Sequence, residues 1–140
     1  NEKNLFNINQ NFRVLTRNLK KEEKIINTKG RKFKIYNFYE GVARFNFKEL
    51  CDQYLGAEDY LNLANICTHI FIEEIPNFDE HNSNQQLRFI TLIDILYDKK
   101  ISLTLSMESE LKRISSSKKH LDTFKRTISR LYEMTLSKNS

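Results

Sequence analysis

Glycine is scarce in this sequence: there are 3 in 140 residues, at positions 30, 41 and 56, beside a single proline, 2 cysteines and 3 histidines. Each shortage excludes a class of chemistry. A phosphate-cradling loop of the form G-x-x-x-x-G-K-[ST] needs bare glycine amides around the phosphates and a lysine that reaches the outer ones. None of the three glycines is followed by Lys-Ser or Lys-Thr, and their spacing also forbids a G-x-G-x-x-G fingerprint. Cys51 and Cys67 cannot build a disulfide framework, and their number fits a reducing compartment. Cys67-Thr-His69 has the look of half a metal site, but His81 and His120 fall in unrelated polar segments, so no metal is expected and buried cysteines are the favoured reading. The histidines carry no Ser-His-acid signature either. No apolar run approaches the roughly 18 residues of a membrane span, and the start is not signal-like. The first residue is Asn rather than Met, which points to a piece of a longer protein.

What is present is an ordinary globular composition, 39% hydrophobic and 29% charged. A chain of this length is expected to form one domain over residues 1–140, with a core large enough to fold without staples. The net charge of +5 is unevenly spread. Residues 11–34 carry nine Lys or Arg against two Glu, residues 40–81 carry two against nine acids, and residues 82–140 return to a net +5. A field this uneven suits docking to another charged surface, protein or polyanion.

Periodicity predicts an α/β fold: a small mixed sheet flanked by helices. Ile8, Phe12, Leu15 and Leu19 make the stripe of a short amphipathic helix. Residues 32–38 and 41–47 alternate polar with apolar, as half-buried strands do, and Gly30 and Gly41 are placed as turn residues of an antiparallel hairpin or meander. A short helix from Phe47 to Gln53 precedes a second from Ala57 to Ile66, with Tyr60, Leu61, Ala64 and Ile66 on its apolar side. A strand near 68–74 follows, then a loop over 77–84 too polar to contribute to a core. The helix of residues 85–100 is apolar on two sides, through Phe89, Leu92, Ile93 and Leu96 and through Leu87, Ile90 and Tyr97, so it should be covered twice. A strand at 101–106, a short helix at 108–114, a flexible loop at 115–119 and a last helix from Asp122 to Ser137 complete the reading. Leu121, Phe124, Ile128, Leu131 and Thr135 form the seam of that last helix. A strand, helix, strand unit of this size implies a parallel pair with a right-handed crossover.

The segment Ile72-Glu-Glu-Ile-Pro76 looks like an acidic strand end that would present carboxylates to a metal-bound triphosphate. Without a phosphate cradle the pair reads as two solvated carboxylates where a central strand stops at Pro76.

Several stretches in register resemble one family. Phe45-Asn-Phe-Lys-Glu-Leu-Cys51 and Leu55-Gly-Ala-Glu-Asp-Tyr-Leu61 are followed by Ile72-Glu-Glu-Ile-Pro76, Arg88-Phe-Ile-Thr-Leu-Ile-Asp-Ile-Leu-Tyr-Asp98 and Phe124-Lys-Arg-Thr-Ile-Ser-Arg-Leu-Tyr-Glu-Met134. Together they resemble the C-terminal third of the ZapE-type AAA+ ATPases, bacterial cell-division ATPases with mitochondrial homologues. The resemblance implies that the P-loop, the metal-binding acids and the polar sensor lie upstream. It implies ATP and Mg in the parent protein, none of it held by this chain alone. It also implies as partners an upstream AAA+ core, other subunits, and a division or membrane-associated client, in the bacterial cytoplasm or the mitochondrial matrix. One departure stands out, because Leu87 replaces the first of two arginines that usually precede Phe-Ile in the family.

Arg126 and Arg130 lie four apart on the last helix, and arginine is the residue AAA+ proteins use to sense the γ-phosphate. With Arg88 they are the candidates for phosphate sensing or an inter-subunit contact. Structural ion pairs to Asp94, Asp98 or Glu133 are the competing reading. Asp59-Tyr60 is read as a helix cap or an anchor for the hairpin. The alternative function is a polyanion-binding or nucleic-acid-binding module. It would use Arg13, Arg17, Lys20 and Lys21 on phosphates and Phe33, Tyr36, Phe38 and Tyr39 as stacking surfaces. A third is a degenerate free-standing remnant without ATPase activity.

Overall fold

The computed structural model describes the backbone of residues 2–136 and the side chains of residues 6–135. Five strands form one mixed sheet in the order β1-β2-β3-β4-β5: Lys21–Thr28, Arg31–Tyr39, Val42–Asn46, His69–Ile75 and Ser102–Met107. The first three are an antiparallel meander and the last three run parallel. Five helices accompany them: α1 (Glu2–Thr16), α2 (Phe47–Cys51), α3 (Ala57–Ile66), α4 (Ser83–Asp98) and α5 (Leu121–Leu136).

The meander follows from two tight turns. Lys29-Gly30 and Glu40-Gly41 all have positive φ, +50° and +84° in the first pair and +48° and +94° in the second. Two-residue turns of that hand match the twist of paired strands, and glycine takes the second position without strain. The sheet gains a strand that alternation did not reveal, because Lys21-Glu-Glu-Lys24 is polar on both sides. In β2 the ladder shifts, with Glu22 opposite Phe38 but Lys24 opposite Ile35. This bulge turns both Ile35 and Phe38 into the core.

Strand β4 is apolar on both faces. Ile70 and Ile72 belong to the main core with α2, α3, α4 and α5, whereas Phe71 belongs to a small cluster with Ile8 of α1 and Val42. Among the described helices, α1 therefore lies alone on one side of the sheet. Its stripe is shorter than the spacing implied: Ile8 and Phe12 pack down, Leu15 is exposed, and the helix stops at Thr16 before Leu19. On the other side, α3 buries Tyr60, Leu63 and Ala64 while Leu61 stays exposed. α4 buries Phe89, Ile90, Leu92, Ile93 and Leu96 but leaves Leu87 in solvent. α5 packs through Phe124, Thr127, Leu131 and Met134; Leu121 is exposed, and Ser137, its expected last residue, lies outside the described residues.

Two loops are more ordered than their composition suggests. Phe78, within the polar 77–84 stretch, is fully buried against the rings of Phe47, Phe89 and Phe124, with centroids 5.6, 5.8 and 5.4 Å away. The serine loop is clamped by the buried Gln86. Its amide nitrogen donates to Ser116 Oγ at 2.7 Å, and its oxygen accepts from the N–H and hydroxyl of Ser117. The helix expected at 108–114 shrinks to a single 3-10 turn over Leu111–Arg113. Glu108 N–H instead extends the strand ladder to Ile75 O, and Ser109 Oγ accepts from Asn77.

Asp59 does both jobs that its position suggested. Its Oδ2 accepts from Gly56 N–H at 2.9 Å, starting α3, and from the Arg31 guanidinium at 3.0 Å, holding the β1–β2 hairpin. Burial alone would raise the Asp59 pKa. The Gly56 N–H, the Arg31 guanidinium and the Thr28 hydroxyl outweigh it, and the carboxyl sits below its ordinary range.

Two outcomes test this packing. Phe78→Ala should lower the free energy of urea unfolding by about 3–5 kcal/mol, the cost of an emptied aromatic site; a loss within that of a surface substitution would contradict its place in the core. Asp59→Asn keeps an oxygen for Gly56 but drops the charge facing the half-exposed Arg31, and should cost about 1–2 kcal/mol at neutral pH. Because the folded-state pKa is lowered, this contribution is complete above the unfolded value of about 4 and fades as pH falls through the folded one. The stability gap between wild type and Asp59→Asn should therefore close in acid, and a gap independent of pH would refute the assignment.

Candidate functional site

The arginine pair of α5 meets α4 across one carboxylate. Arg130 donates to Asp94 Oδ1 at 2.5 Å and Arg126 to Asp94 Oδ2 at 3.4 Å. Residues four apart on α5 share a face, and Asp94 lies on the narrow polar strip of α4 turned toward that face. Asp94 is therefore shared by two guanidiniums, with a short contact to one and a long contact to the other. Arg130 is mostly covered and Arg126 is more than half exposed, with side-chain exposures of 24% and 57%. Arg126 is therefore the guanidinium of the pair nearest solvent.

The remaining residues of the cluster are arranged by an aromatic ring. The Arg130 guanidinium lies 4.7 Å from the Tyr97 ring centroid, a cation–π contact. Tyr97 in turn donates its hydroxyl to Glu133 Oε2 at 2.8 Å. That hydrogen bond and the Glu133 charge push the Tyr97 pKa up, with Asp98 adding to the field. Glu133 thus engages Tyr97, and Asp98 is exposed at the end of α4.

Arg88 is not part of this group. It sits six residues before Asp94, roughly 9 Å along the helix. There its guanidinium donates to the carbonyl of Cys51 at 3.2 Å and lies 6.0 Å from the Tyr54 ring. Arg88 therefore ties α4 to the end of α2.

The acidic strand end is built differently from two solvated carboxylates. Glu73 shares the α1 side of β4 with Phe71 and is ion-paired to Arg44 of β3. Arg44 also donates to Asn9 of α1 and stacks 5.1 Å over Phe12. Sequence reasoning missed this half-buried link, because nothing in the pattern marks Arg44 as the partner of a residue 29 positions away. Glu74 alone is exposed, with φ of +59° where the β4–β5 ladder shifts.

The described residues do not make a triphosphate cradle. Gly30 and Gly41 serve hairpin turns, and Gly56 gives its N–H to Asp59. Arg44 is committed to Glu73 and Arg130 to Asp94. Cys51 and Cys67 are both buried; desolvation raises both thiols, Cys67 to about 12, which leaves them unreactive at neutral pH. Among the described residues no group of three or more His, Cys, Asp or Glu is placed to hold a metal.

The basic N-terminal segment also changes meaning in three dimensions. Phe38 is buried, Phe33 stacks on Phe45 at 5.9 Å, and Tyr39 meets Phe12 edge-on at 5.4 Å. Of the four aromatics read as stacking surfaces, only Tyr36 is open to solvent, and Lys34 lies over its ring.

The sequence matches the family described as AFG1-like ATPase over residues 1–139. It is 33% identical over 91 residues to lactation elevated protein 1 homolog B of Danio rerio, covering 65% of this chain and 18% of that protein. It is 36% identical over 85 residues to an uncharacterized Schizosaccharomyces pombe protein, covering 61% and 19%. It is 28% identical over 89 residues to the cell division protein ZapE of Escherichia coli, covering 64% and 24%. The matched part of the chain spans about a fifth of the length of these curated relatives. No solved structure matches significantly.

Proposed function

The chain belongs to the AFG1-like ATPase family, and from that membership we propose that it is the C-terminal module of an AAA+ ATPase whose parent couples ATP hydrolysis to remodelling a protein partner. Nucleotide and Mg are used by the parent, and this module supplies packing and an arginine contact rather than the phosphate cradle. The client belongs to division machinery or protein quality control, a reading supported by the similarity to a cell division protein. The compartment proposed is the bacterial cytoplasm or the mitochondrial matrix. No described helix is long and apolar enough to cross a membrane.

The observation that carries the proposal is the unequal sharing of Asp94. Arg130 takes the short contact and Arg126 the long one, so Arg126 keeps a guanidinium fork for an anion. A nucleotide phosphate bound by the upstream core, or a carboxylate of a neighbouring subunit, matches that fork. Arg88, spent on a backbone carbonyl, serves assembly of the module itself.

The test is made in a full-length protein containing this module. Replacing Arg126 and Arg130 together by Lys keeps the charge toward Asp94 but removes the planar fork. ATP turnover should fall at least about tenfold while the thermal unfolding of the protein stays close to wild type. Unchanged turnover would remove the arginine pair from the mechanism.

A further inference from the structure

The two edges of the sheet are protected differently. β1 begins with Lys21-Glu-Glu-Lys24, and α3 packs beside it, with Asn62 donating to Thr28. β5 pairs, among the described residues, with β4 alone. Its outer backbone groups have no ladder partner there, and between 101 and 107 it carries no charge and no proline. Sheets normally blunt such an edge with lysine, proline or a bulge. The grooves along β5, one by Asn7 and Asn11 of α1 and one by Leu111 and Thr135, leave it reachable.

Residues 100–108 read Lys-Ile-Ser-Leu-Thr-Leu-Ser-Met-Glu, a chemical palindrome about Thr104. Laid antiparallel on a second copy about that residue, Ser102 faces Ser106, Leu103 faces Leu105, Ile101 faces Met107 and Lys100 faces Glu108. Opposite residues in an antiparallel pair point to the same face of a sheet, and this register respects that at every position. A parallel pairing in register would set Lys100 against Lys100 and Glu108 against Glu108.

The ends are built to keep those charges in line with the strand. α4 closes with Lys100 in the left-handed region, Lys100 N–H on Tyr97 O and Ile101 N–H on Leu96 O, which aims the chain directly into β5. At the far end Glu108 N–H continues the ladder to Ile75 O. Lys100 and Glu108 are both exposed.

We propose that β5 is a self-recognition edge. Two copies of this chain join antiparallel through β5 about a two-fold axis at Thr104, and their sheets continue into one of ten strands. The match of Lys100 with Glu108, made twice by the symmetry, sets the register and the direction.

Analytical ultracentrifugation of the 140-residue chain over a range of concentrations tests this. A reversible dimer is expected, with a dissociation constant roughly in the micromolar range because a single strand pair is a small interface. Lys100→Glu sets like charges together at both ends and should weaken the dimer at least about tenfold, with an unchanged circular dichroism spectrum. The exchange Lys100→Glu with Glu108→Lys restores opposite charges and should recover dimerisation. A monomer at every concentration would overturn the proposal, and so would a dimer indifferent to Lys100→Glu.

Discussion

Ile70 and Ile72 of β4 face the layer of α2 to α5 while Phe71 of the same strand faces α1, so β4 stays dry only if both sides of the sheet are covered. Each such side chain contributes about 1.5–3 kcal/mol by leaving water, and no other strand carries as much on both faces. The parallel crossovers on one side follow, since a parallel neighbour must be reached through a helix. So does α1 on the other side, where Ile8 and Phe12 lie over Phe71. Arg44 fastens that helix: it is paired to Glu73 at the end of β4 and reaches Asn9 and Phe12 of α1. A pair of acids that looks catalytic in sequence is thus half consumed in keeping β4 covered.

Much of this was legible beforehand, and the misses have physical reasons. The crossover helix α4, the parallel strands and the two glycine turns are written in local periodicity and turn chemistry. β1 was hidden because an edge strand with charges on both sides does not alternate. Phe78 was hidden because a lone apolar residue in a polar stretch has no period at all, and only three distant rings explain it. The serine loop is ordered by Gln86, about 30 residues away. At the candidate site, helical spacing placed Arg126 and Arg130 together and offered Asp94 among three candidate partners, but not its unequal sharing between the two guanidiniums.

The charged groups of the fold divide in a similar way. Asp59 and Arg31, Arg44 and Glu73, and Arg130 and Asp94 satisfy one another. At the surface stand a half-exposed guanidinium on α5, the exposed Arg13, Arg17, Lys20 and Lys21 of the N-terminal segment, and an edge strand with a self-complementary sequence. Arg126 is the group offered to an anion in the proposed function, and β5 the edge offered to a second copy. That division of labour fits a module whose family is an ATPase but whose own glycines are spent on turns and a helix start.

The dependence of the fold on β4 is measured most directly by native-state hydrogen exchange. The amides of residues 70–72 should exchange only through global unfolding, with the same free energy as urea denaturation, while those of α1 open at lower cost. Cheap local opening of β4, with α1 still protected, would contradict the account.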